Sequence, residues 1–177
     1  IKELASIIKN SRNTVVMTGA GMDTESNIPD FRSQDGIWRK VDPRTVATID
    51  ALYTNYPLFR EFYSERIKNL ESISPHEGHY VLAELEEKGY IKSIATQNIS
   101  GLHAMAGSKN IYELHGNIRD IICNNCKEAA TIDEFLENKN CKNCGKEELR
   151  PGVVLFGETL PTTILQNAIL DIESSDV

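Results

Sequence analysis

The fold is decided by the stretch TVVMTGAGMDTESNIPDFR, residues 14–32. Its first five residues form a β-branched, apolar run of the kind found in buried parallel strands. The run leads directly into Gly19-Ala20-Gly21, and small residues at such a turn let the backbone approach a pyrophosphate. The third glycine of a dinucleotide-binding pattern would stand at position 24, where this chain has Thr24. The loop alone leaves two interpretations open, a nucleotide site and a tight strand-to-helix turn without a ligand.

Strand-like and helix-like segments alternate along the rest of the chain. Residues 55–70 carry apolar side chains at helical intervals, and Ser74-Pro75-His76-Glu77 predicts a helix with Ser74 as N-cap and Glu77 in a capping box. The later segments are the strands 91–96 and 111–114, the apolar run 153–156, and the helix 161–171 opened by Pro161. The alternation predicts an α/β fold with a parallel sheet and crossover helices.

All four cysteines lie in two matched pairs, Cys123-x-x-Cys126 and Cys141-x-x-Cys144, with 14 residues between the pairs. Two thiolates on each tight turn complete a tetrahedral shell, and a shell without an open position predicts a structural zinc. The alternative is a reduced dithiol or redox pair, although a redox C-x-x-C normally comes alone at a helix start. Residues 119–149 have little apolar content, so we expect metal binding to contribute to their folding.

Composition narrows the class of protein. The 177 residues carry a net charge of −7, which argues against a general nucleic-acid binder because such proteins need a clustered Lys/Arg surface. No stretch approaches the roughly 20 apolar residues of a membrane span, and the first ten residues do not form a signal peptide. Because every cysteine lies in a pair that can bind a metal, we expect a cytoplasmic protein. The charge and the lack of a long apolar stretch lead us to expect neither a nucleic-acid nor a membrane partner. The oligomeric state stays open.

Four segments together are more specific than the glycine loop. They are GAGMDTESNIPDFR (19–32), TQNISGLH (96–103), ELHG (113–116) and RPGVVLFGE (150–158), with the paired cysteines between the last two. In this order they resemble the sirtuin, or Sir2, family of NAD-dependent protein-lysine deacylases. The resemblance implies a Rossmann-like parallel sheet with helices on both faces, plus a small domain that combines a helical segment with a zinc ribbon.

The resemblance also implies domain borders. The NAD-binding domain would comprise residues 1–33, 76–118 and 150–177, the helical part of the small domain 34–75, and the zinc module 119–149. A helix over 161–171 should feed a further strand, and the family's later segments, which hold the adenine side of NAD, do not follow in this sequence. We therefore expect a longer protein, and no competent NAD site from residues 1–177 alone.

The chemistry implied by the resemblance begins with cleavage of the nicotinamide–ribose bond of NAD. The acyl oxygen of an acyl-lysine peptide, acetyl in the first instance, would then attack the exposed ribose carbon. The products would be free lysine, nicotinamide and O-acyl-ADP-ribose. His115 would be the general base for a ribose hydroxyl, which suits an imidazole because it titrates near neutral pH. Asn98, the second catalytic residue, would hydrogen-bond the nicotinamide ribose.

Further roles are implied at matching positions. The NAD contacts fall on Gly19, Ala20, Gly21, Thr24, Asp30, Phe31, Arg32, Gln97, Asn98, Ile99, Ser100 and His115. Phe31 would shield the reactive ribose face, Arg32 would contact the phosphate region, and Ile99 would contact nicotinamide. The acyl-peptide channel falls on Val154, Phe156, Gly157 and Glu158, where main-chain hydrogen bonds would hold a substrate with little regard to its sequence.

Tyr63-x-x-Arg66 bears on the acyl group. It is similar to a motif of sirtuins that prefer acidic acyl groups, and a guanidinium can pair bidentately with a carboxylate. Both residues are therefore candidate substrate contacts. The alternative, which we expect, is an amphipathic helix with Arg66 in solvent.

Two departures from the family pattern bear on the binding of NAD. Asp23 stands where serine is usual, and a carboxylate in a phosphate-binding loop predicts weaker NAD binding; the alternative is a solvent-facing Asp23 that acts only as a cap. Ser100 stands where aspartate is usual, which predicts a weaker contact with the nicotinamide carboxamide. These departures keep two further functions open on the same scaffold. One is NAD hydrolysis or ADP-ribosyl transfer, and the other is a non-catalytic NAD or ADP-ribose sensor.

The other histidines and the single tryptophan receive structural roles. We expect His76 and His79 to pack or cap near the start of their helix, and His103 to support the segment around it. Trp38 is expected to be a packing anchor of the small domain.

Overall fold

The computed structural model describes residues 2–34 and 36–177. The chain divides into two compact units. Unit 1 consists of Ile1–Ile28, Ser74–His115 and Leu160–Val177, and unit 2 consists of Pro29–Ile73 and Gly116–Thr159. The expected borders place 29–33 and 150–159 in the NAD-binding domain, whereas the structure includes both segments in unit 2.

Eight α-helices and six strands form within the described residues. The helices are α1 (Lys2–Asn10), α2 (Pro43–Val46), α3 (Ile49–Thr54), α4 (Tyr56–Asn69), α5 (Glu77–Glu87), α6 (Leu102–Met105), α7 (Ile132–Leu136) and α8 (Thr162–Glu173). The strands are β1 (Val15–Thr18), β2 (Ser93–Thr96), β3 (Ile111–Glu113), β4 (Gly116–Cys123), β5 (Ala129–Ala130) and β6 (Leu149–Val153). Two 3-10 helices cover Ala20–Ser26 and Ile37–Arg39. Within these ranges no helix has the length and apolar character needed to cross a membrane.

Unit 1 contains a parallel sheet of three strands in the order β1-β2-β3. The central strand, β2, is buried at every residue, as is typical of a parallel sheet. Thr18 pairs with Thr96, and Thr96 pairs with Glu113, so the three strands end at the same level. Helix α8 packs Ala168 against the sheet residue Ala95. The predicted parallel sheet is confirmed.

The start of α5 differs from the prediction. His76, and not Ser74, is the N-cap, because its Nδ1 accepts a hydrogen bond from the Gly78 N–H at 3.0 Å. Glu77 is then the first helical residue and forms no capping box with Ser74. The Nε2 of His76 donates to the Met22 carbonyl at 2.7 Å, so the ring joins the helix start to the loop after β1. An imidazole nitrogen has taken the place of the expected hydroxyl.

Unit 2 is built on an antiparallel sheet in the order β5-β4-β6. The apolar run 153–156 contributes only Val153 to β6, which pairs with β4. Gly116 opens β4 with φ of +73°, and a Cβ at this position would lie 2.0 Å from the Gly152 carbonyl oxygen. Only glycine lets the two strands approach so closely. The largest fully buried side chains of this unit include Leu52, Phe59, Ile118, Phe135, Leu149 and Leu155.

Candidate active site and metal centre

The candidate residues of unit 1 follow the ends of three neighbouring strands. Gly19 follows β1, Gln97 follows β2, and His115 lies two residues beyond β3. Since Thr18, Thr96 and Glu113 are paired in register, these three positions meet at the carboxyl edge of the sheet. This edge is where open parallel sheets bind their ligands. Nearly all of the predicted NAD contacts of unit 1 are therefore brought to one edge.

The loop after β1 forms a 3-10 helix rather than an α-helix. Thr24 is exposed, and its hydroxyl donates to the Gly21 carbonyl at 2.8 Å, which closes the turn on itself. A Cβ at Gly21 would meet nothing within 4 Å, and a Cβ at Gly19 would meet only Gln97 Oε1, at 3.9 Å. The space beside Gly19 and Gly21 is compatible with the approach of a phosphate group to the backbone.

The tautomer of His115 is defined by its contact. Its Nδ1 lies 3.0 Å from the Gln97 carbonyl oxygen. Because a carbonyl oxygen only accepts, Nδ1 must carry the proton, and in the neutral ring Nε2 is then the basic nitrogen. The side chain is half-buried. This is the arrangement that a general base needs, with one nitrogen anchored and the other available for a proton.

Asn98 is buried, at 6% exposure, and is held at both its backbone and its side chain. Its backbone N–H donates to Thr96 Oγ1 at 3.0 Å, and its Nδ2 donates to Asp23 Oδ1 at 2.9 Å. Ile99 is half-buried beside it. Ser100 is buried, and its Oγ accepts the Leu102 N–H at 3.4 Å, near the start of α6. Asn98 is thus more tightly constrained than its place in a loop suggests.

The structure contradicts the alternative in which Asp23 faces solvent. The residue is 4% exposed, and Oδ1 accepts from both Asn98 Nδ2 and His79 Nε2, the latter at 3.2 Å. The carboxylate therefore points into unit 1 and not toward the surface of the phosphate loop. The structure therefore gives no reason to expect that the Asp23 carboxylate repels a bound pyrophosphate.

Three imidazoles pack in a row beside Asp23. The ring of His79 lies 4.4 Å from that of His76 and 4.9 Å from that of His103, measured between centroids. The Nε2 of His103 lies 2.9 Å from Thr18 Oγ1, so His103 supports the end of β1 as expected. Burial lowers the pKa of His79, and it lowers the pKa of His103 to about 4. Both rings are neutral at physiological pH.

The pairing of Asp23 with His79 is a feature of this part of unit 1 that the sequence does not predict. The two residues are 56 positions apart, and no local pattern in the sequence links them. Two signals point toward it in retrospect. The resemblance to the family leads us to expect serine at position 23, where this chain has an acid, and two histidines, His76 and His79, lie three residues apart at the predicted start of a helix.

The candidate residues of unit 2 include an aromatic stack. The ring of Trp38 lies 5.4 Å from Phe31 and 6.1 Å from Phe62, nearly parallel to both, and a tilted contact of 6.3 Å joins it to Phe156. Trp38 is therefore the packing anchor that we expected. Phe156 is still 56% exposed, which leaves much of its ring for a further contact.

The structure contradicts a solvent-facing Arg66. Its Nε and Nη1 are buried, and neither has a hydrogen-bond partner within the described part of the chain. The guanidinium carbon lies 5.5 Å from the Phe62 ring and 6.0 Å from the Phe31 ring, at cation–π distance. Burial lowers the pKa of Arg66. Tyr63, one turn earlier, is also buried, and burial raises its pKa to about 12.

Asp30 and Arg32 occupy a turn at the beginning of unit 2. The Asp30 carboxylate accepts from the backbone N–H groups of Arg32 and Ser33, at 3.1 and 2.8 Å. Hydrogen bonds from Ser33 hold the pKa of Asp30 below its usual value. Asp30 therefore shapes this turn, and Arg32 is exposed.

The segment after β6 is anchored by a buried ion pair. Arg150 is 3% exposed and binds the two carboxylate oxygens of Glu158 at 2.7 and 2.8 Å. Burial is the largest single influence and raises the pKa of Glu158, but the hydrogen bonds from Arg150 and Leu155 and the positive charge of Arg150 together lower the pKa below its usual value. Glu158 also accepts the Leu155 N–H at 2.8 Å. The Glu158 carboxylate thus stabilises the fold of unit 2 through these hydrogen bonds, whereas the sequence predicted a direct contact with the peptide.

The neighbouring positions of the predicted peptide channel are more accessible. Phe156 and Gly157 are exposed and Val154 is half-buried. Phe156 exchanges backbone hydrogen bonds with the segment before α3, donating to the Ala47 carbonyl and accepting from the Ile49 N–H. This parallel bridge shows that the segment can pair as a strand.

The four cysteine sulfurs of unit 2 form one cluster. All lie within 4.8 Å of one another, and the Cys123–Cys144 and Cys126–Cys141 separations are both 3.6 Å. A tetrahedral zinc with Zn–S bonds of about 2.3 Å requires sulfur–sulfur distances of about 3.8 Å. The donors therefore fit zinc in number, type and spacing. A disulfide does not fit, since its sulfurs lie about 2.05 Å apart.

The two cysteine turns have the same backbone design. In the first, the Lys127 N–H donates to the Cys123 carbonyl, and in the second the Gly145 N–H donates to the Cys141 carbonyl. Lys127 and Gly145 both have left-handed backbone angles, with φ of 62° and 73°. Two equivalent turns that face each other are what a closed metal shell needs.

Comparison with known proteins agrees with these observations. The model of the Sir2 family matches residues 19–177. The NAD-dependent protein deacetylase of Oceanobacillus iheyensis is 44% identical over 171 residues, which cover 96% of this chain and 72% of that protein. The NAD-dependent protein deacylase 2 of Archaeoglobus fulgidus is 42% identical over an alignment that covers 99% of this chain and 72% of that protein.

Solved structures are similar over nearly the whole chain. One is a mutant Sir2 homologue in complex with ADP ribose, with a TM-score of 0.93 and 35% identity, covering 99% of this chain and 72% of that one. Another is a Sir2 variant with a deacetylated p53 peptide and 3′-O-acetyl ADP ribose. Its TM-score is 0.90 at 38% identity, and it covers 98% of this chain and 72% of that one.

Proposed function

Because the chain belongs to the Sir2 family, we propose that it removes acyl groups, acetyl in the first instance, from protein lysines in an NAD-dependent reaction. The observation that carries this proposal is the His115–Gln97 contact at the carboxyl edge of the parallel sheet. It presents an imidazole with a defined basic nitrogen beside a turn of small residues. The relatives named as deacetylases and the peptide-bound neighbour support the same chemistry.

Each part of the site has a definite task in this reaction. NAD, when bound, supplies an ADP-ribosyl group whose nicotinamide can leave. His115 Nε2 takes the proton of a ribose hydroxyl, since Nδ1 is already committed to Gln97. Asn98 orients the same sugar by a hydrogen bond between a sugar hydroxyl and its buried, immobilised side-chain amide. Gly19, Ala20 and Gly21 leave the backbone open for the phosphates.

Unit 2 supplies the residues proposed for the acyl-lysine peptide. Val154, Phe156 and Gly157 would contact an extended peptide, while the Arg150–Glu158 pair holds their segment in place. Phe31 would shield the sugar, and its stacking on Trp38 restricts its position. We also propose that the four cysteines bind a structural zinc, whose role is to hold β4 and its neighbouring turns together. The reduced, matched cysteine pairs support a cytoplasmic location.

One observation favours a second acyl class. Two buried guanidinium nitrogens of Arg66, Nε and Nη1, have no hydrogen-bond partner among the described residues, which is costly, and a carboxylate would relieve the cost through charge-assisted hydrogen bonds. Arg66 and Tyr63 therefore support activity on acyl groups that end in a carboxylate. Rates on acetyl-lysine and succinyl-lysine peptides, in wild type and Arg66→Met, separate the two classes. A loss confined to the succinyl peptide would identify Arg66 as its contact, and equal effects on both peptides would reject it.

The proposed function is tested by His115→Ala in the full-length polypeptide. Loss of a general base is expected to lower the rate of peptide deacylation about 100-fold or more. Lys88→Ala, at the exposed C-cap of α5, serves as the matched control and should leave the rate unchanged. Chromatography of nicotinamide and peptide follows both products. Equal activity of His115→Ala and wild type would contradict the proposal, and nicotinamide release that needs no acyl peptide would favour NAD hydrolysis.

A further inference from the structure

Asn98 is held by a carboxylate that is unusual for its position. Its Nδ2 lies 2.9 Å from Asp23 Oδ1, and both residues are buried. We propose that Asp23 is a positioning residue that fixes which end of the Asn98 amide faces the site. The inference rests on the proposed function, in which Asn98 hydrogen-bonds the sugar next to nicotinamide.

The orientation follows from the chemistry of the two groups. An ionised carboxylate only accepts hydrogen bonds, whereas the two ends of an asparagine amide differ, one donating and the other accepting. Asp23 therefore requires Nδ2 on its own side, and Oδ1 of Asn98 must lie on the opposite side. With its backbone N–H held by Thr96 Oγ1 as well, Asn98 presents an acceptor in one direction. An acceptor of this kind suits a sugar hydroxyl, which has a proton to donate.

The carboxylate is itself held in place by His79. Its Nε2 lies 3.2 Å from the same Asp23 oxygen, and the ring is fully buried. The other nitrogen, Nδ1, has no hydrogen-bond partner among the described residues. A protonated ring would bury an unpaired N–H there, so the ring is neutral, with its proton on Nε2. Two donors, from Asn98 and His79, thus converge on one oxygen of Asp23.

Other residue types at position 23 would not fix the orientation of the Asn98 side-chain amide equally well. Asparagine offers a carbonyl oxygen at the same place, and the two converging donors would turn that end toward themselves. A serine hydroxyl is shorter and both donates and accepts, so it imposes no amide orientation. Alanine offers no partner at all. The series Asp23→Asn, Asp23→Ser and Asp23→Ala therefore separates the acceptor from the charge and from the shape of the loop.

The first readout needs no bound cofactor. In ¹⁵N–¹H spectra, the side-chain amide protons of Asn98, assigned by comparison with Asn98→Ser, should exchange slowly with solvent in wild type. The protection should persist in Asp23→Asn and disappear in Asp23→Ser and Asp23→Ala. Glu25→Gln, which changes an exposed carboxylate two residues away, is the matched control and should leave the protection of the Asn98 amide protons unchanged. Protection that survives in Asp23→Ala would overturn the inference.

The second readout is steady-state kinetics of the full-length polypeptide. We expect kcat to fall about tenfold or more in Asp23→Ala and Asp23→Ser, with KM for the peptide unchanged and most of the rate restored in Asp23→Asn. If Asp23→Ala does not fold, Asp23→Ser against Asp23→Asn carries the comparison. Equal impairment of Asp23→Asn and Asp23→Ala would overturn the inference, because charge and not orientation would then matter. A wild-type protein without NAD-dependent turnover would reject the proposed function, and the amide spectrum would then decide the Asp23–Asn98 arrangement by itself.

Discussion

The buried imidazole of His103 makes the stability of this protein depend on pH in a way that one substitution removes. The ring is 3% exposed, and burial, the largest cause, lowers its pKa from 6.5 to about 4. Below pH 6.5 the unfolded chain binds a proton at this residue that the folded chain refuses. The contribution of His103 to the free energy of unfolding therefore falls as the pH drops from about 6.5 toward 4, and it is constant above this window.

The size of the effect follows from the two pKa values. Each pH unit inside the window costs about 1.4 kcal/mol, so His103 alone removes about 2 kcal/mol between pH 7 and pH 5. His103→Gln keeps a donor toward Thr18 but cannot titrate. Its unfolding free energy should fall by about 2 kcal/mol less than that of wild type over the same interval. Carboxylates, the cysteine site and His79 contribute to both proteins, and their effects cancel in the comparison.

Urea unfolding followed by far-ultraviolet circular dichroism at pH 7 and pH 5 measures this difference. The reasoning is refuted if the two proteins lose the same free energy between the two pH values. It is also refuted if His103→Gln is the more acid-sensitive of the two, since the sign would then be reversed.

Three further predictions concern unit 2. Removing zinc with a chelator, or replacing Cys141 by serine, should unfold the segment around the cysteines. We expect a measured zinc content of one per chain in wild type and near zero in the variant. An unchanged far-ultraviolet circular dichroism spectrum would count against this prediction. Arg150→Met should destabilise the protein by about 3–5 kcal/mol because it leaves the Glu158 carboxylate unpaired. In thermal melts, the double variant with Glu158→Gln should recover part of this loss. Additive losses of stability would show that the two residues are not coupled. Gly116→Ala should cost more than about 2 kcal/mol, since its Cβ would meet the Gly152 carbonyl at 2.0 Å, and a melting temperature within a degree of wild type would contradict this.

The sequence predicts the parallel sheet well because its signals are local. Residues 14–18 and 91–96 are short segments with β-branched residues, each followed by turn residues, and such segments favour strands. The paired cysteines are equally informative, since their spacing alone implies a four-sulfur shell that the structure reproduces. Both predictions depend on neighbours in the chain and need no knowledge of distant contacts.

The errors have the opposite origin. His76 replaces Ser74 as the cap of α5 because its ring can also reach the Met22 carbonyl, a contact across more than fifty residues. Asp23 was expected in solvent or beside a phosphate, yet His79 and Asn98 draw its carboxylate inward. Polar side chains with distant partners give no periodic signal, so their orientation is settled only by tertiary packing.

The same reason explains Arg66. At its position in α4 the helical pattern permits either burial or exposure, and the flanking aromatic rings of Phe31 and Phe62 decide for burial. Phe31 lies 35 residues away in the chain, so a pattern within the helix contains no information about it.

Deacylation coupled to NAD is tested most directly by mass spectrometry of the products that the full-length polypeptide forms from NAD and an acetyl-lysine peptide. The account predicts O-acetyl-ADP-ribose, together with one nicotinamide for every lysine set free. Free acetate with NAD left intact, or ADP-ribose with the peptide still acetylated, would contradict it.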